Sequence, residues 1–219
     1  IFARSRLAAR TLFGLDLPSL PRRCHYFDVS TIALARASRH LLLPGVRVLD
    51  MGTGSAAILG LAAHKRGCEV TATEIHESIA GQAELSIAHA GAAIELRRGP
   101  FFADCAEGLD LVLFNPPYVP TQAGVARGLP EELRTQWDGG ENGTSVISGL
   151  LDAVAARQDA PRVLMGVNRR HVPREEVEAL ISAHAGVELE AVEASALGVD
   201  VYFFSIKKSP MASASSPQA

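Results

Sequence analysis

Short apolar runs alternate with helically spaced stretches along most of this chain. Five runs rich in Val, Leu, Ile and Thr have the length and composition of β-strands; they cover residues 46–50, 69–75, 93–97, 109–114 and 162–167. Apolar residues recur every three or four positions between and after these runs, over residues 56–66, 77–90, 144–157 and 173–184. Strands that alternate with helices are typical of a parallel sheet covered by helices on both faces.

Two further alternating runs, residues 187–192 and 201–207, lie close together and predict an antiparallel hairpin. The predicted fold class is therefore α/β: a seven-stranded, doubly wound, Rossmann-like sheet that is parallel except for a C-terminal antiparallel hairpin. We expect this domain to span residues 48–208. Residues 1–47 would form an N-terminal helical cap segment, and the small, polar residues 209–219 a disordered tail.

A stretch rich in Pro and Gly follows the fourth predicted strand, over residues 115–143. Such a long connection in a compact domain is usually functional, and we predict a loop there. Ligands of doubly wound sheets bind beyond the carboxyl ends of the strands, near the point where the strand order reverses. The candidate site is therefore expected at the ends of the first four strands.

Composition excludes several classes of protein. With 47% hydrophobic and 21% charged residues, the chain has enough apolar side chains to form a core, unlike a disordered protein. No apolar run reaches the roughly 18 residues of a membrane span. Three scattered cysteines argue against a disulfide framework and favour a reducing compartment, so we expect a cytoplasmic protein. The seven histidines lack the spacing of a metal site, and no catalytic metal is expected.

Charge is divided unevenly between the front of the chain and its body. Residues 1–47 contain eight arginines and two aspartates, a net charge of +6, and the remainder carries −9. The front could contact an acidic partner or phosphates, but an Arg-rich, solvated helix face is the favoured interpretation. Residues 1–10, rich in Arg and free of acids, are also similar to a targeting segment.

The first predicted strand ends in the sequence Asp-Met-Gly-Thr-Gly-Ser-Ala-Ala, residues 50–57. Gly52 and Gly54 would let the backbone approach a ligand closely. A carboxylate at Asp50 would repel a pyrophosphate but suit a cationic ammonium group. Glu74, at the end of the second strand, can accept hydrogen bonds from both ribose hydroxyls of an adenosine. Alternatively, Asp50 only caps the turn, and Glu74 is a solvated strand end.

Asn115-Pro116-Pro117-Tyr118 follows the fourth strand directly. The Asn115 side-chain oxygen and the Pro116 carbonyl could each accept a hydrogen bond from a substrate amino group. This would localise and aim a nitrogen lone pair that is otherwise delocalised. The prolines would hold the acceptors in place, and Tyr118 could stack on a planar amide or base. The alternative is a chain reversal with no chemical role.

Together, the Asp-Met-Gly-Thr-Gly-Ser-Ala, Thr-Ala-Thr-Glu-Ile and Asn-Pro-Pro-Tyr segments resemble the HemK/PrmC-type N-methyltransferases, a group of class I S-adenosylmethionine-dependent enzymes. Residues 137–143 also resemble the Gly-Gly-x-x-Gly segment of that group. The resemblance implies that S-adenosyl-L-methionine is bound by Thr31, Asp50, Gly52, Gly54, Glu74, Ile75, Phe101, Phe102 and Asn115. It also implies that the methyl acceptor is held by Asn115, Pro116 and Tyr118.

Within that resemblance, Asp50, Gly52 and Gly54 would contact the methionine part, Glu74 the ribose, and the two phenylalanines the adenine. Thr31 belongs to segment 27–31, which would close over the methionine end. The family usually has an acid beside the adenine, where this chain has Gly-Pro-Phe-Phe at residues 99–102. Asp104 is a candidate replacement at a different spacing.

These features favour an N-methyltransferase that acts on an amide or amine nitrogen of a protein (glutamine-like) or a small molecule. A nucleic-acid base N-methyltransferase is an alternative, weakened by the acidic body. A natural-product synthase that consumes S-adenosylmethionine and releases methylthioadenosine is another, and a non-catalytic binding module is the weakest. The expected partners are the protein or small-molecule acceptor and a small activating subunit.

Overall fold

The structure is a computed structural model that describes residues 4–22 and 24–207. Its single sheet has the strand order β3-β2-β1-β4-β5-β7-β6. The strands are β1 (Arg47–Met51), β2 (Glu69–Glu74), β3 (Ile94–Arg98), β4 (Leu111–Phe114), β5 (Arg162–Asn168), β6 (Val187–Ala194) and β7 (Val199–Ile206). Only β7 runs against its neighbours, pairing antiparallel with both β5 and β6. The predicted seven-stranded, doubly wound sheet with a C-terminal antiparallel hairpin is confirmed.

Helices cover both faces of the sheet. They are α1 (Arg6–Phe13), α2 (Val29–Ala37), α3 (Ile58–His64), α4 (Glu77–His89), α5 (Thr121–Ala126), α6 (Ser145–Ala155) and α7 (Arg174–Ala183). One apolar cluster joins α6 and α7 to β1, β4, β5 and β7. A second joins α2 and α3 to the opposite face, and a third holds α1 against α3 and α4. Both faces of the central strands are therefore buried, as their continuous apolar runs require.

The terminal hairpin is tighter than the pattern predicts. β6 and β7 extend into residues 194–200, leaving a short turn in which Gly198 has φ +79°. Asp200 resembles a turn residue in the sequence, yet it is completely buried in β7 and forms ion pairs with Arg169 and Arg174. These two guanidinium groups allow a carboxylate to lie inside a strand, which the local sequence does not reveal.

The stretch after β4 is not the structureless loop that its composition predicts. It contains α5 and a 3₁₀ segment, Glu131–Gln136. Pro120 and Pro130 immediately precede these two elements. A proline at a helix start loses no hydrogen bond and supplies a suitable φ, so two prolines of the stretch predicted as a loop here precede helical segments.

The front of the chain holds α1 and α2, which pack on the rest of the fold through buried residues such as Ala9 and Leu34. The predicted tail at 209–219 lies outside the described residues. Among the described helices, none has both the length and the apolar character needed to span a membrane.

Candidate active site

A cavity of about 800 Å³ opens beyond the carboxyl ends of β1, β2, β4 and β5. The strand order reverses between β1 and β4, and the cavity lies at this switch. Its wall includes the glycine turn after β1, the end of β2, the Asn-Pro-Pro-Tyr segment after β4 and the start of α2. Most of the predicted site residues therefore come together in one place.

The glycine turn presents an open backbone to this cavity. Gly52 and Gly54 both have positive φ, at +59° and +66°, where a side chain would be strained. A Cβ on Gly52 would also lie 3.1 Å from the Phe114 ring. The Thr53 amide donates to the Thr73 carbonyl at 2.8 Å, which fastens the turn to β2. Both glycines are thus required by the backbone path.

Asp50 is buried at the end of β1 and lines the cavity. Its Oδ2 accepts hydrogen bonds from the Thr53 hydroxyl at 2.5 Å and from the Gly60 amide at 2.7 Å. Burial raises the pKa of Asp50 from 3.8 to about 6, although both hydrogen bonds oppose this shift. Asp50 therefore also fixes the turn and the start of α3, which is the capping role considered as an alternative.

Glu74 is buried at the end of β2, not solvated. It accepts hydrogen bonds from the Gly54 and His76 amides, both at 3.0 Å, and burial raises its pKa. The Glu74 carboxylate also raises the pKa of Asp50. Two buried acids around one glycine turn disfavour a bound phosphate and suit ammonium and hydroxyl donors.

Of the two phenylalanines predicted to contact the adenine, only Phe101 lines the cavity. Phe101 lines the cavity beside Ile75, and its ring packs edge-on against Phe114 at 6.4 Å. Phe102 is not among the residues that line the cavity. Its ring packs elsewhere, with the Arg157 Cζ 4.5 Å from the ring centre. Phe101 has φ +47°, which turns the chain so that two successive side chains diverge. Asp104 is exposed and is not part of the cavity wall either.

The Asn-Pro-Pro-Tyr segment forms the opposite wall. The Asn115 Nδ2 donates to Asp28 Oδ1 at 3.1 Å, whereas Asn115 Oδ1 is shielded from water and has no partner among the described residues. Tyr118 is buried, its hydroxyl lies 2.7 Å from the Ser30 hydroxyl, and burial raises its pKa. The His171 ring lies 5.8 Å from the Tyr118 ring.

Segment 27–31, which includes the start of α2, contacts the wall formed by Asn-Pro-Pro-Tyr. Asp28 caps the helix: its Oδ1 accepts from the Thr31 amide at 2.8 Å and from the Thr31 hydroxyl at 3.0 Å. Thr31 lines the cavity, but its hydroxyl is engaged in this capping box. Asp28 and Ser30, which contact the Asn-Pro-Pro-Tyr residues, were missed as site residues. The Asp-x-x-Thr spacing before an apolar run identifies the cap, but not its distant contacts.

The segment after Tyr118 returns across the cavity. The indole of Trp137 is buried, donates to the Pro130 carbonyl at 2.9 Å and packs against Gly124, where a Cβ would overlap the ring. A ring nitrogen of His76, just after β2, lies 2.8 Å from the Glu132 carbonyl, so the segment also contacts the β2 side of the cavity. Residues 119–138 therefore form a cover over the cavity with contacts on both sides.

The Gly-Gly-x-x-Gly segment lies directly behind the Asn-Pro-Pro-Tyr backbone. A Cβ on Gly139 would lie 2.7 Å from the Tyr118 Cα, and one on Gly143 would lie against the Tyr118 carbonyl oxygen. The Val119 amide donates to the Trp137 carbonyl, and the Gly139 amide donates back to Val119. The glycines therefore permit a close approach that sets the position of Tyr118. Asn168, the last residue of β5, and His171, three residues later, also line the cavity, and no sequence motif indicated them.

No protein-family model matches this chain. The chain is 35% identical over 133 residues to the release factor glutamine methyltransferase of Deinococcus radiodurans, a match covering 58% of this chain and 47% of that protein. It is 34% identical over 129 residues to the ribosomal RNA large subunit methyltransferase F of Pseudomonas paraeruginosa, covering 52% and 38% respectively. These matches extend over half or less of each relative.

Solved structures share the fold over most of the chain. A methyltransferase from Pyrococcus furiosus superposes with a TM-score of 0.66 at 20% identity, covering 92% of this chain and 93% of that one. The E. cuniculi Mtq2–Trm112 complex, responsible for methylation of the eRF1 translation termination factor, gives 0.60 at 24% identity, covering 85% and 99%. The fold is thus that of the Rossmann-like methyltransferases. The relatives in sequence are methyltransferases, release factor glutamine methyltransferases and a ribosomal RNA methyltransferase among them.

Proposed function

We propose that this protein is an S-adenosylmethionine-dependent N-methyltransferase that acts on an amide or amine nitrogen, of a glutamine-like protein side chain or a small molecule. One observation carries the proposal: Asn115 lines the cavity, and its Oδ1 has no hydrogen-bond donor among the described residues. An unmet buried acceptor costs roughly 1–3 kcal/mol, so such groups are rare without a reason. An N–H of the methyl acceptor is the donor that would satisfy it.

The opposite wall fits the cofactor. The buried carboxylates of Asp50 and Glu74 suit the ammonium group and the ribose hydroxyls of S-adenosylmethionine. Gly54 has open space where a Cβ would lie, so a ligand can approach its backbone. Ile75 and Phe101 offer apolar surface for the adenine. When bound, the cofactor supplies an electrophilic methyl group on a sulfonium.

The chain's own residues would supply orientation and charge stabilisation. Asn115 Oδ1 and the Pro116 carbonyl would accept the two hydrogens of the substrate NH₂ and hold its lone pair in a fixed direction. The same two dipoles would stabilise the positive charge that develops on the nitrogen. The Tyr118 ring would support a planar amide, and the cover with Trp137 would exclude water.

A nucleic-acid base is the second candidate acceptor. It is favoured by the ribosomal RNA methyltransferase among the relatives, since an exocyclic amino group presents the same two hydrogens to Asn115 and Pro116. The acidic charge of residues 48–219 remains unfavourable for a nucleic-acid partner. A protein or small-molecule acceptor is therefore the first to test.

Mass spectrometry after incubation with S-adenosylmethionine, alone and with cell extract or RNA, tests the proposal. We expect S-adenosylhomocysteine only when an acceptor is present, with a product heavier by one methylene that identifies the acceptor. Methylthioadenosine formed without any acceptor would instead mean that the amino-acid chain is attacked, and would overturn the proposal. Asn115→Ala protein, purified in the same way, is the control for a contaminating methyltransferase.

A small activating subunit is the remaining part of the proposal. It is supported by the Mtq2–Trm112 complex, whose structure shares this fold. Among the described strands, β3 and β6 are the edges of the sheet, each paired on one side, so either has backbone groups open to a second chain. Methyl transfer that depends on a small protein copurifying from the native source would support this part, and full activity of the purified chain would contradict it.

A further inference from the structure

The start of α2 contacts two residues of the Asn-Pro-Pro-Tyr segment that lie far away in the sequence. Asp28 accepts from Asn115, 87 positions later, and Ser30 contacts Tyr118, 88 positions later. We propose that Asp28 is a positioning residue that fixes the orientation of the Asn115 amide, so that its oxygen, and not its nitrogen, is presented to the methyl acceptor. This inference rests on the proposed function for the identity of that acceptor.

Hydrogen-bond chemistry permits only one orientation of this amide. An ionised carboxylate accepts hydrogen bonds and cannot donate them. Asp28 Oδ1 already faces two donors of Thr31, its amide and its hydroxyl. The Asn115 atom facing this oxygen at 3.1 Å must therefore be the NH₂ group. Turning the amide over would place two oxygens against each other.

The orientation matters for the reaction because the opposite one would defeat it. If the Asn115 NH₂ faced the site, it would be a donor opposite the donors of the substrate nitrogen, and no hydrogen bond could form between them. The lone pair would then be neither held nor stabilised as charge develops. Asp28 thus selects the productive orientation of the Asn115 amide. It acts through Asn115 and needs no contact with the reacting atoms.

Two substitutions separate this role from the capping role of Asp28. Asp28→Ser keeps a good N-cap but shortens the side chain, which removes the contact with Asn115. Asp28→Asn also keeps the cap and retains an acceptor oxygen at the same reach. We expect Asp28→Ser to lower kcat about tenfold or more, with cofactor Kd and melting temperature little changed, and Asp28→Asn to restore most of kcat.

A double-mutant cycle tests whether the effect passes through Asn115. In an Asn115→Ala background, Asp28→Ser should cause no further loss of kcat. Equal activity of Asp28→Ser and wild type would overturn the proposal. So would a raised cofactor Kd in both Asp28→Ser and Asp28→Asn, because Asp28 would then act through its charge on the cofactor.

A spectroscopic measurement tests the contact independently of any methyl transfer. The chain has three asparagines, Asn115, Asn142 and Asn168, so ¹⁵N-asparagine labelling gives three side-chain NH₂ signals. Asn115→Ala assigns one of them. We expect Asp28→Ser to shift that signal strongly, and Asp28→Asn, which adds a fourth signal of its own, to shift it less. An unmoved signal contradicts the positioning role, whereas a moved signal in an inactive protein leaves it standing and contradicts the proposed function.

Discussion

The two walls of the cavity are built on different principles. On the cofactor side, Asp50 and Glu74 hold the amides of Gly60, Gly54 and His76, all within a short stretch of chain. On the acceptor side, Asn115 and Tyr118 are held by the start of α2 and by the Gly-Gly-x-x-Gly segment, and Asn115 Oδ1 lacks a donor within the part of the chain that the structure describes. The polar groups of the cofactor side are paired with neighbouring residues, whereas the acceptor side keeps one oxygen that no described residue pairs.

This difference separates binding from turnover. Carboxylates fixed by backbone amides need little rearrangement to receive a ligand, so the first wall should govern cofactor affinity. An acceptor that is satisfied only when the substrate nitrogen is in place should govern the chemical step. Substitutions on the two walls should therefore affect different kinetic constants.

The largest effect is expected from Asn115→Ala. Turnover should fall at least ~10²-fold because the substrate nitrogen loses the acceptor that holds it. The dissociation constant for S-adenosylmethionine, measured by calorimetry, should change little. The exposed Asn142→Ala is a matched control of the same residue type. Unchanged turnover in Asn115→Ala would remove the chemical role assigned to this wall.

Glu74→Ala should show the opposite kinetic pattern. Cofactor Kd should rise by roughly 10–100-fold, because the ligand loses a charged acceptor and the Gly54 amide loses its partner. Turnover at saturating cofactor should change less than Kd. Glu69→Ala, an exposed residue at the start of the same strand, is the control. A loss confined to kcat would contradict the division between the walls.

Gly139→Ala tests the packing behind Tyr118. The added Cβ would lie 2.6 Å from the Gly143 carbonyl oxygen and 2.7 Å from the Tyr118 Cα, both backbone atoms. We expect the free energy of unfolding to fall by about 1–3 kcal/mol in urea denaturation. Gly81→Ala, in α4, should be neutral or slightly stabilising, because outside its own helix backbone and chain neighbours no described residue lies within 4 Å of the added Cβ. Equal stability of the two variants would mean that the segment is not packed as described.

The smallest effect concerns the pH dependence of stability through Asp50. Its pKa is raised in the folded state, from 3.8 to about 6, so the native state binds more protons than the unfolded chain in this window. Its contribution to stability therefore falls as pH rises from 3.8 to about 6 and stays low above that.

Asp50→Asn removes this titration while keeping an acceptor for Gly60. The stability of the variant relative to wild type should increase by about 1 kcal/mol between about pH 5 and about pH 7. Urea denaturation at both pH values measures the difference. A constant difference would mean that Asp50 is not desolvated in the folded protein.

The periodicity of apolar residues was sufficient to predict every strand of the sheet within about two residues, and also the four helices α3, α4, α6 and α7. Its errors have specific causes. The helices within residues 115–143 begin after Pro120 and Pro130, which local rules interpret as breaks. The length of β7 depends on Asp200, whose burial is possible because Arg169 and Arg174 are supplied from elsewhere.

Motifs predicted residues that lie together at the cavity, but not the contacts among them. Ile75, Phe101 and the glycine turn line the cavity, whereas Phe102 points to Arg157 because of the positive φ of Phe101. Thr31 lies at the wall, but Asp28 and Ser30 provide the contacts to Asn115 and Tyr118. The roles of the predicted residues in binding and transfer stay predictions until the kinetic constants are measured.

The sequence by itself determined the order of the strands and of α3, α4, α6 and α7, the glycine turn, the acids at the ends of β1 and β2, and the Asn-Pro-Pro-Tyr segment after β4. These features depend on periodicity and spacing, which are local properties of the chain. Only the tertiary structure decided that Asn115 Oδ1 has no partner among the described residues and that Asp28 holds the Asn115 side chain. That outcome depends on hydrogen bonds and close packing between segments nearly ninety positions apart, for which local sequence carries no signal.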